Sequence, residues 1–243
     1  MPKSRFHCPA KLAVGAIVNL PENAAHHATK VLRMQVDDVL TVFNGDGADY
    51  RAHILRINKN EVAIKIMDAQ TVVCESPLHV TLAQAISSGE RMEFTLQKAV
   101  ELGVAQIQPI AAERSVVKLT GERAAKRREH WQNVVISACE QSGRAFIPEV
   151  APNLNLADWL SRPNEFAMKL LLSPNADQTL HQLPKPQGKI CLLIGCEGGL
   201  SEQEQQNALL CGFVPVRLGA RVLRTETAAM AALAAMQTLW GDF

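Results

Sequence analysis

The sequence predicts a two-part α/β protein, a small β domain followed by a mostly parallel sheet covered by helices. Three observations carry this. Short alternating strands and Asn/Gly turns fill residues 1–70. From Leu78 onward, apolar strand-like runs alternate with amphipathic helices, the pattern of a parallel sheet. Near the C-terminus two apolar runs, Ile190–Ile194 and Phe213–Leu218, each end in a glycine turn that feeds a helix. With 243 residues, 47% hydrophobic and 20% charged, the chain is globular and can bury a sizeable core.

In the first part, Ala24–Leu32 reads as one short helix and Val39–Phe43 as a strand. Asn44-Gly45-Asp46-Gly47 is a hairpin turn. Tyr50–Ile57 alternates, Asn58-Lys59-Asn60 turns again, and Val62–Met67 places Val62, Ile64 and Ile66 on one face. Gln70–Pro77 is the linker, because Ser76-Pro77 breaks regular structure. The domains are set at 1–72 and 73–243.

In the second part, Leu78–Ile86 is a strand, and Ser87 with Glu90 forms a capping box for a helix that runs through Glu101 and stops at Gly103. Val104–Ile110 is the next strand. Gly121–Gln141 is a long helix, with Trp131, Val134, Val135, Ala138 and Cys139 on its apolar face. Phe166–Leu172 and Ile190–Ile194 are strands. Ser201 and Glu204 form a second capping box, and Gly212 ends that helix. Pro215 favours an edge position for Phe213–Leu218. Ala228–Leu239 is the last helix.

Six cysteines are scattered without Cys-x-x-Cys spacing, and seven histidines lack metal-site spacing. Buried free thiols and no metal are expected. No apolar run approaches a membrane span and no secretory signal is visible, so a cytoplasmic protein is expected. The net charge of +1 does not by itself indicate nucleic acid, although 114–128 is locally basic.

The chemistry concentrates in Ile190–Thr227. Backbone N–H groups at strand ends and helix N-termini suit a small ligand with polar edges. Gly195-Cys196-Glu197-Gly198-Gly199 is neither a dinucleotide fingerprint nor a phosphate loop. Arg224-Thr225-Glu226-Thr227 is the densest polar group beside a glycine turn. Arg224 can bind phosphate or polarise a carbonyl. Glu226 can accept a proton or cap the last helix, and Thr225 and Thr227 are good N-caps.

Leu193–Ser201 and Leu218–Ala228 together resemble the RsmE-type 16S rRNA (uracil-N3)-methyltransferases of the SPOUT superfamily. Gly89–Phe94, Gln97-Lys98, Glu101–Gly103, Glu113-Arg114, Cys139–Arg144 and Val31–Met34 add to the match, which covers almost the whole chain in order. The resemblance implies a PUA-like RNA-binding β-barrel at 1–72. It implies a trefoil-knotted SPOUT domain at 73–243, homodimerisation through that domain, and S-adenosylmethionine as cofactor. It also implies methylation of N3 of a uridine in 16S rRNA of the 30S subunit.

Carried over by position, cofactor contacts are expected from Leu172, Ser173, Ile194, Gly195, Glu197, Gly198, Gly199, Leu218, Gly219, Val222, Leu223 and Thr225. Arg224 and Glu226 are the expected catalytic pair. RNA is expected to meet Lys3, Arg5, Lys30, Arg33, Arg91, Lys98, Arg114 and Arg144. The family often has Pro where Cys196 and Ala220 stand, so both turns are expected to be more flexible here. Cys196 is expected to be a small filler. A methyltransferase for another RNA such as tRNA, a non-catalytic RNA-binding ribosome-assembly protein, and, more weakly, a nucleotide-dependent dehydrogenase are the competing readings.

Overall fold

Two sheets organise the chain in the computed structural model, which describes residues 4–59 and 61–243. Lys3 and Asn60 lie outside the described residues. One compact unit comprises the chain up to Glu75 together with Cys139–Ile147; the other comprises Ser76–Ala138 and Pro148–Phe243.

The first unit contains β1 (Arg5–His7), β2 (Ile17–Asn19), α1 (Glu22–His26), β3 (Val39–Phe43), β4 (Ala48–Asn58) and β5 (Glu61–Thr71). Its sheet runs β1-β3-β4-β5-β2, antiparallel except for the β1–β3 pair. Register shifts at Arg51/Ala52 and Ile54/Arg56 add twist to the long β4–β5 ribbon. Val62, Ile64 and Ile66 are buried together, as their alternation requires. The expected single helix is instead α1 followed by a π-helical turn over His27–Val31, closed by Leu32 N–H donating to the His27 carbonyl at 3.0 Å.

The Cys139–Arg144 stretch works as mortar in this unit. Arg5 donates to the Cys139 carbonyl at 2.7 Å and to the Arg144 carbonyl at 3.0 Å. It also pairs with Asp49 at 2.7 Å and stacks over Phe43 at 3.8 Å. Glu140 accepts the His7 N–H at 2.9 Å, and Arg144 forks onto Glu75.

The second unit contains β6 (Val80–Ala85), α2 (Glu90–Glu101), β7 (Gln106–Ala111), α3 (Gly121–Ser142, whose last turn belongs to the first unit), β8 (Glu149–Val150), β9 (Leu154–Asn155), α4 (Leu156–Leu160), β10 (Met168–Leu172), β11 (Ile190–Ile194), α5 (Glu202–Leu210), β12 (Val214–Val216) and α6 (Thr225–Trp240). Its sheet runs β12-β10-β11-β6-β7-β8, with β9 also on β7, and every pairing is parallel. All residues of β6 and β11 are buried, as expected for central parallel strands covered on both faces. Pro215 sits in the edge strand β12, where a missing N–H is tolerated.

Ser201 and Glu204 form the expected capping box at α5. The Ser87–Glu90 box does not form. Gly89, at φ +57°, precedes α2, and the buried Ser87 hydroxyl turns to the Ala85 carbonyl at 3.4 Å. At the far end of α6, Gln237 accepts from Ser76 Oγ at 2.9 Å and donates to the Leu102 carbonyl at 2.8 Å. Gly103 lies under this knot of contacts, where a Cβ would meet Gln237 Nε2 at 2.7 Å and Ser76 Cβ at 2.8 Å.

Candidate active site

Parallel strands deliver their carboxyl ends to one edge of the sheet, and there the chain builds a cavity of about 650 Å³. Leu172–Pro174 after β10, Gly195–Leu200 after β11 and Arg217–Glu226 after β12 enclose it, with Leu171, Ile194 and Val216 as apolar wall. Leu172, Ser173, Ile194, Gly195, Glu197, Gly198, Gly199, Leu218, Gly219, Val222, Leu223 and Thr225 all line it, and so do Arg91, Arg224 and Glu226.

The glycine turn is set by its backbone. Gly199 N–H donates to the Cys196 carbonyl at 2.9 Å, and Gly199 takes φ +69°. A Cβ on Gly195 would sit 3.0 Å from Gly199 Cα, so a side chain there would push the turn open by a few tenths of an ångström. Cys196 is buried with its thiol beside the Gly199 carbonyl at 3.4 Å, a filler of the turn.

Thr225 is not an N-cap. Arg224 holds that position with extended backbone, and Thr225 opens α6 with its side chain buried. Its hydroxyl donates to the Gly195 carbonyl at 2.6 Å and accepts from Gln84 Nε2 at 2.9 Å. Gln84 is fully buried at the end of β6, a site residue that no motif in the sequence marks. Its one signal was an amide side chain inside an otherwise apolar strand end, Leu82-Ala83-Gln84-Ala85-Ile86.

Two carboxylates face two arginines at the rim. Glu197 Oε1 accepts from Ser88 N at 2.9 Å, Ser88 Oγ at 2.7 Å and Arg91 Nη1 at 2.9 Å. Burial pushes the Glu197 carboxyl up, but the Ser88 and Arg91 hydrogen bonds outweigh it and hold it at about 2. Arg91 Nε lies 4.0 Å from Glu226 Oε1. Glu226 Oε2 is buried without a hydrogen-bond partner among the described residues. Glu226 caps nothing; it sits in the first turn of α6, where the helix dipole favours a carboxylate. Arg224 is exposed, its carbonyl accepts the Ala228 N–H at 2.8 Å, and no hydrogen bond or ion pair of its guanidinium occurs among the described residues.

The basic residues expected at RNA divide. Arg5 and Arg144 are buried, ion-paired supports of the first unit, so both expectations are corrected: neither guanidinium is presented to a phosphate. Lys30 and Arg33 are exposed, and Arg33 holds a left-handed φ of +56°. Lys98 pairs with Glu101 at 2.8 Å, and Arg114 donates to the Gly198 carbonyl at 3.1 Å, bracing the glycine turn. No cluster of three or more metal-ligating side chains occurs among the described residues, and no described helix is long and apolar enough to cross a membrane.

Residues 74–237 match the model of the RNA methyltransferase domain. The chain belongs to the RNA methyltransferase family. Residues 20–67 of this RNA methyltransferase match the RNA methyltransferase PUA domain. It is similar to the ribosomal RNA small subunit methyltransferase E of Neisseria gonorrhoeae, solved bound to S-adenosylmethionine, at 48% identity and TM-score 0.91 over 99% of each chain. A Legionella pneumophila protein solved with S-adenosylmethionine matches at 42% identity and TM-score 0.96 over 100% of both chains. The ribosomal RNA small subunit methyltransferase E of Buchnera aphidicola subsp. Schizaphis graminum is 39% identical, covering 98% of this chain and 97% of its own.

Proposed function

We propose that this RNA methyltransferase moves a methyl group from S-adenosylmethionine to N3 of a uridine in 16S rRNA of the 30S subunit. The observation that carries the reading is the cavity at the sheet edge, walled by three backbone turns and rimmed by Arg91, Arg224 and Glu226. Its volume of about 650 Å³ suits a cofactor of that size, since small-molecule sites span roughly 300–1,000 Å³. The apolar wall and the backbone-rich turns fit an adenosine and an amino-acid tail, so the residues present fit the cofactor.

When bound, S-adenosylmethionine supplies an electrophilic methyl group on a positively charged sulfur. Backbone groups of Gly195–Gly199, Leu218-Gly219 and Val222-Leu223 hold the ligand, and Thr225 fixes the first turn against α6. Uracil N3 carries a proton when neutral, so a base is needed. Glu226 Oε2, lacking any other partner among the described residues, takes that proton. The N3 electron pair then forms the N–CH3 bond, and the pair of the broken S–CH3 bond stays with sulfur. Arg224 offsets the charge that develops on the adjacent carbonyl oxygen. Most of the acceleration lies in aligning N3 with the methyl carbon.

The same reading gives a cytoplasmic homodimer formed through the C-terminal domain, 73–243, with its trefoil knot. Domain 1–72 then holds RNA with Lys30 and Arg33.

Methyl transfer to 30S subunits, free 16S rRNA and tRNA, followed by mass-spectrometric mapping of the product base, tests the reading. The expected product is one 3-methyluridine in 16S rRNA, formed on 30S subunits. Methylation of tRNA alone, or of another base atom, overturns it.

A further inference from the structure

A second cleft, of about 930 Å³, opens between α2, α3 and α6. It shares three side chains with the cofactor cavity: Arg91, Arg224 and Glu226. Any group that reaches the methyl donor from this side meets those three. Phe94 and Gln97 of α2 face it, three residues apart, as do Asn133 and Ser137 of α3, four apart; such spacings place side chains on one helix face. Phe94 is 43% exposed, unusual for a large aromatic ring on a helix otherwise packed by Met92, Leu96 and Val100.

The lining tells what the cleft takes. The cleft is lined by the carboxylates Glu90, Glu93 and Glu226 and the arginines Arg91 and Arg224, so its charges nearly cancel. His130 Nε2 lies 2.9 Å and Arg127 Nη1 3.6 Å from Glu93 Oε1, and Arg91 lies between Glu197 and Glu226. Such balance does not attract a phosphate, which calls for a net positive patch. It suits a neutral planar group with polar edges. The apolar residues Phe94, Val134 and Met230 are interleaved with amides and hydroxyls, a lining for a flat group with polar edges.

We infer that this cleft seats the target nucleobase, a pyrimidine stacked on Phe94, with its polar edge toward Arg224 and Glu226 and the amides of Gln97 and Asn133 beside it. The inference rests on the proposed transfer to a uridine. Phe94 is then a binding residue for the flipped base, and Glu226 lines both cavities. RNA-modifying proteins commonly stack unpaired bases on aromatic side chains.

The test uses Phe94→Ala, Phe94→Tyr and Ser137→Trp in the full chain, with 30S subunits as substrate. Ser137 is exposed, so tryptophan there fills the cleft without disturbing the core. Phe94→Ala is expected to lower kcat/KM for the RNA by about ten-fold or more, the scale of one base–aromatic stack. Phe94→Tyr restores most of the rate. Ser137→Trp blocks transfer. In all three, S-adenosylmethionine affinity by calorimetry and the oligomeric state by sedimentation stay as in the wild type. Unchanged kcat/KM in Phe94→Ala overturns the inference. So does a change in oligomeric state with the loss of rate, which assigns the cleft to a second copy. Product mapping on the wild-type enzyme separates this from the reaction itself: a wrong product base refutes the proposed reaction, whereas a correct one with indifferent Phe94 variants refutes only the cleft.

Discussion

Thr225 ties the last helix to the glycine turn: its hydroxyl donates to the Gly195 carbonyl at 2.6 Å while accepting from the Gln84 amide. Strand β6, the turn after β11 and the start of α6 thus meet at one buried oxygen.

Thr225→Val keeps the shape and deletes both bonds. It removes the hydroxyl donor to the Gly195 carbonyl and one of the two acceptors of the buried Gln84 amide, so it is expected to destabilise the protein by about 1–3 kcal/mol. Urea unfolding measures the stability, and calorimetry should show weakened S-adenosylmethionine binding. Thr225→Ser is expected to recover both. A valine variant with wild-type stability and affinity means that the relay through Gln84 is idle.

Glu226→Gln removes the proposed base but keeps its size. Methyl transfer is expected to fall by about 10²–10⁴-fold, the usual weight of a positioned base. Cofactor affinity stays near that of the wild type. Single-turnover assays decide, and undiminished turnover takes Glu226 out of the chemistry.

Glu197 gives a pH signature. Its folded-state carboxyl sits at about 2, below the ordinary 4.5, so the unfolded chain binds the proton more readily. The stability from this group is therefore complete above about pH 4.5 and is lost as pH falls toward about 2. Unfolding of the wild type and Glu197→Gln, compared from neutral pH down to about pH 3, should show the gap between them narrowing on acidification. A gap that is constant across this range contradicts the Ser88 and Arg91 contacts.

Arg144→Ala is expected to act on stability rather than on RNA. It leaves Glu75 without its forked partner in a largely buried setting, at a cost of about 2–4 kcal/mol. Thermal unfolding should show the loss, while RNA affinity measured well below the transition stays unchanged. Selective loss of RNA binding with full stability restores the phosphate role.

Local pattern made most of the fold legible. β3 and β11 have the bounds read from their apolar runs, the Ser201–Glu204 box forms, and Pro215 marks an edge strand. The turns lining the cofactor cavity were legible because glycine turns after buried strands are local features too. Partners distant in sequence decided the rest. Arg5 and Arg144 look like surface cations until Asp49 and Glu75, 44 and 69 residues away, take them inward. Gln84 gains its meaning only from Thr225, 141 residues on. Ser87 and Glu90 satisfy a capping pattern, yet Gly89 takes the N-cap and the Ser87 hydroxyl turns to the Ala85 carbonyl, beside a Ser88 that is held by Glu197, 109 residues on.

Gln237 bears on how the catalytic unit is made. Its contacts with Ser76 and Leu102 join segments 161 and 135 residues apart, among the least local in the chain. On the ribosome, the groove left by Ser76 and Gly103 stays open until α6 emerges, and the same helix brings the threonine that clamps the glycine turn. Cofactor-binding competence therefore waits for α6, in a closing step slowed by long-range loop closure.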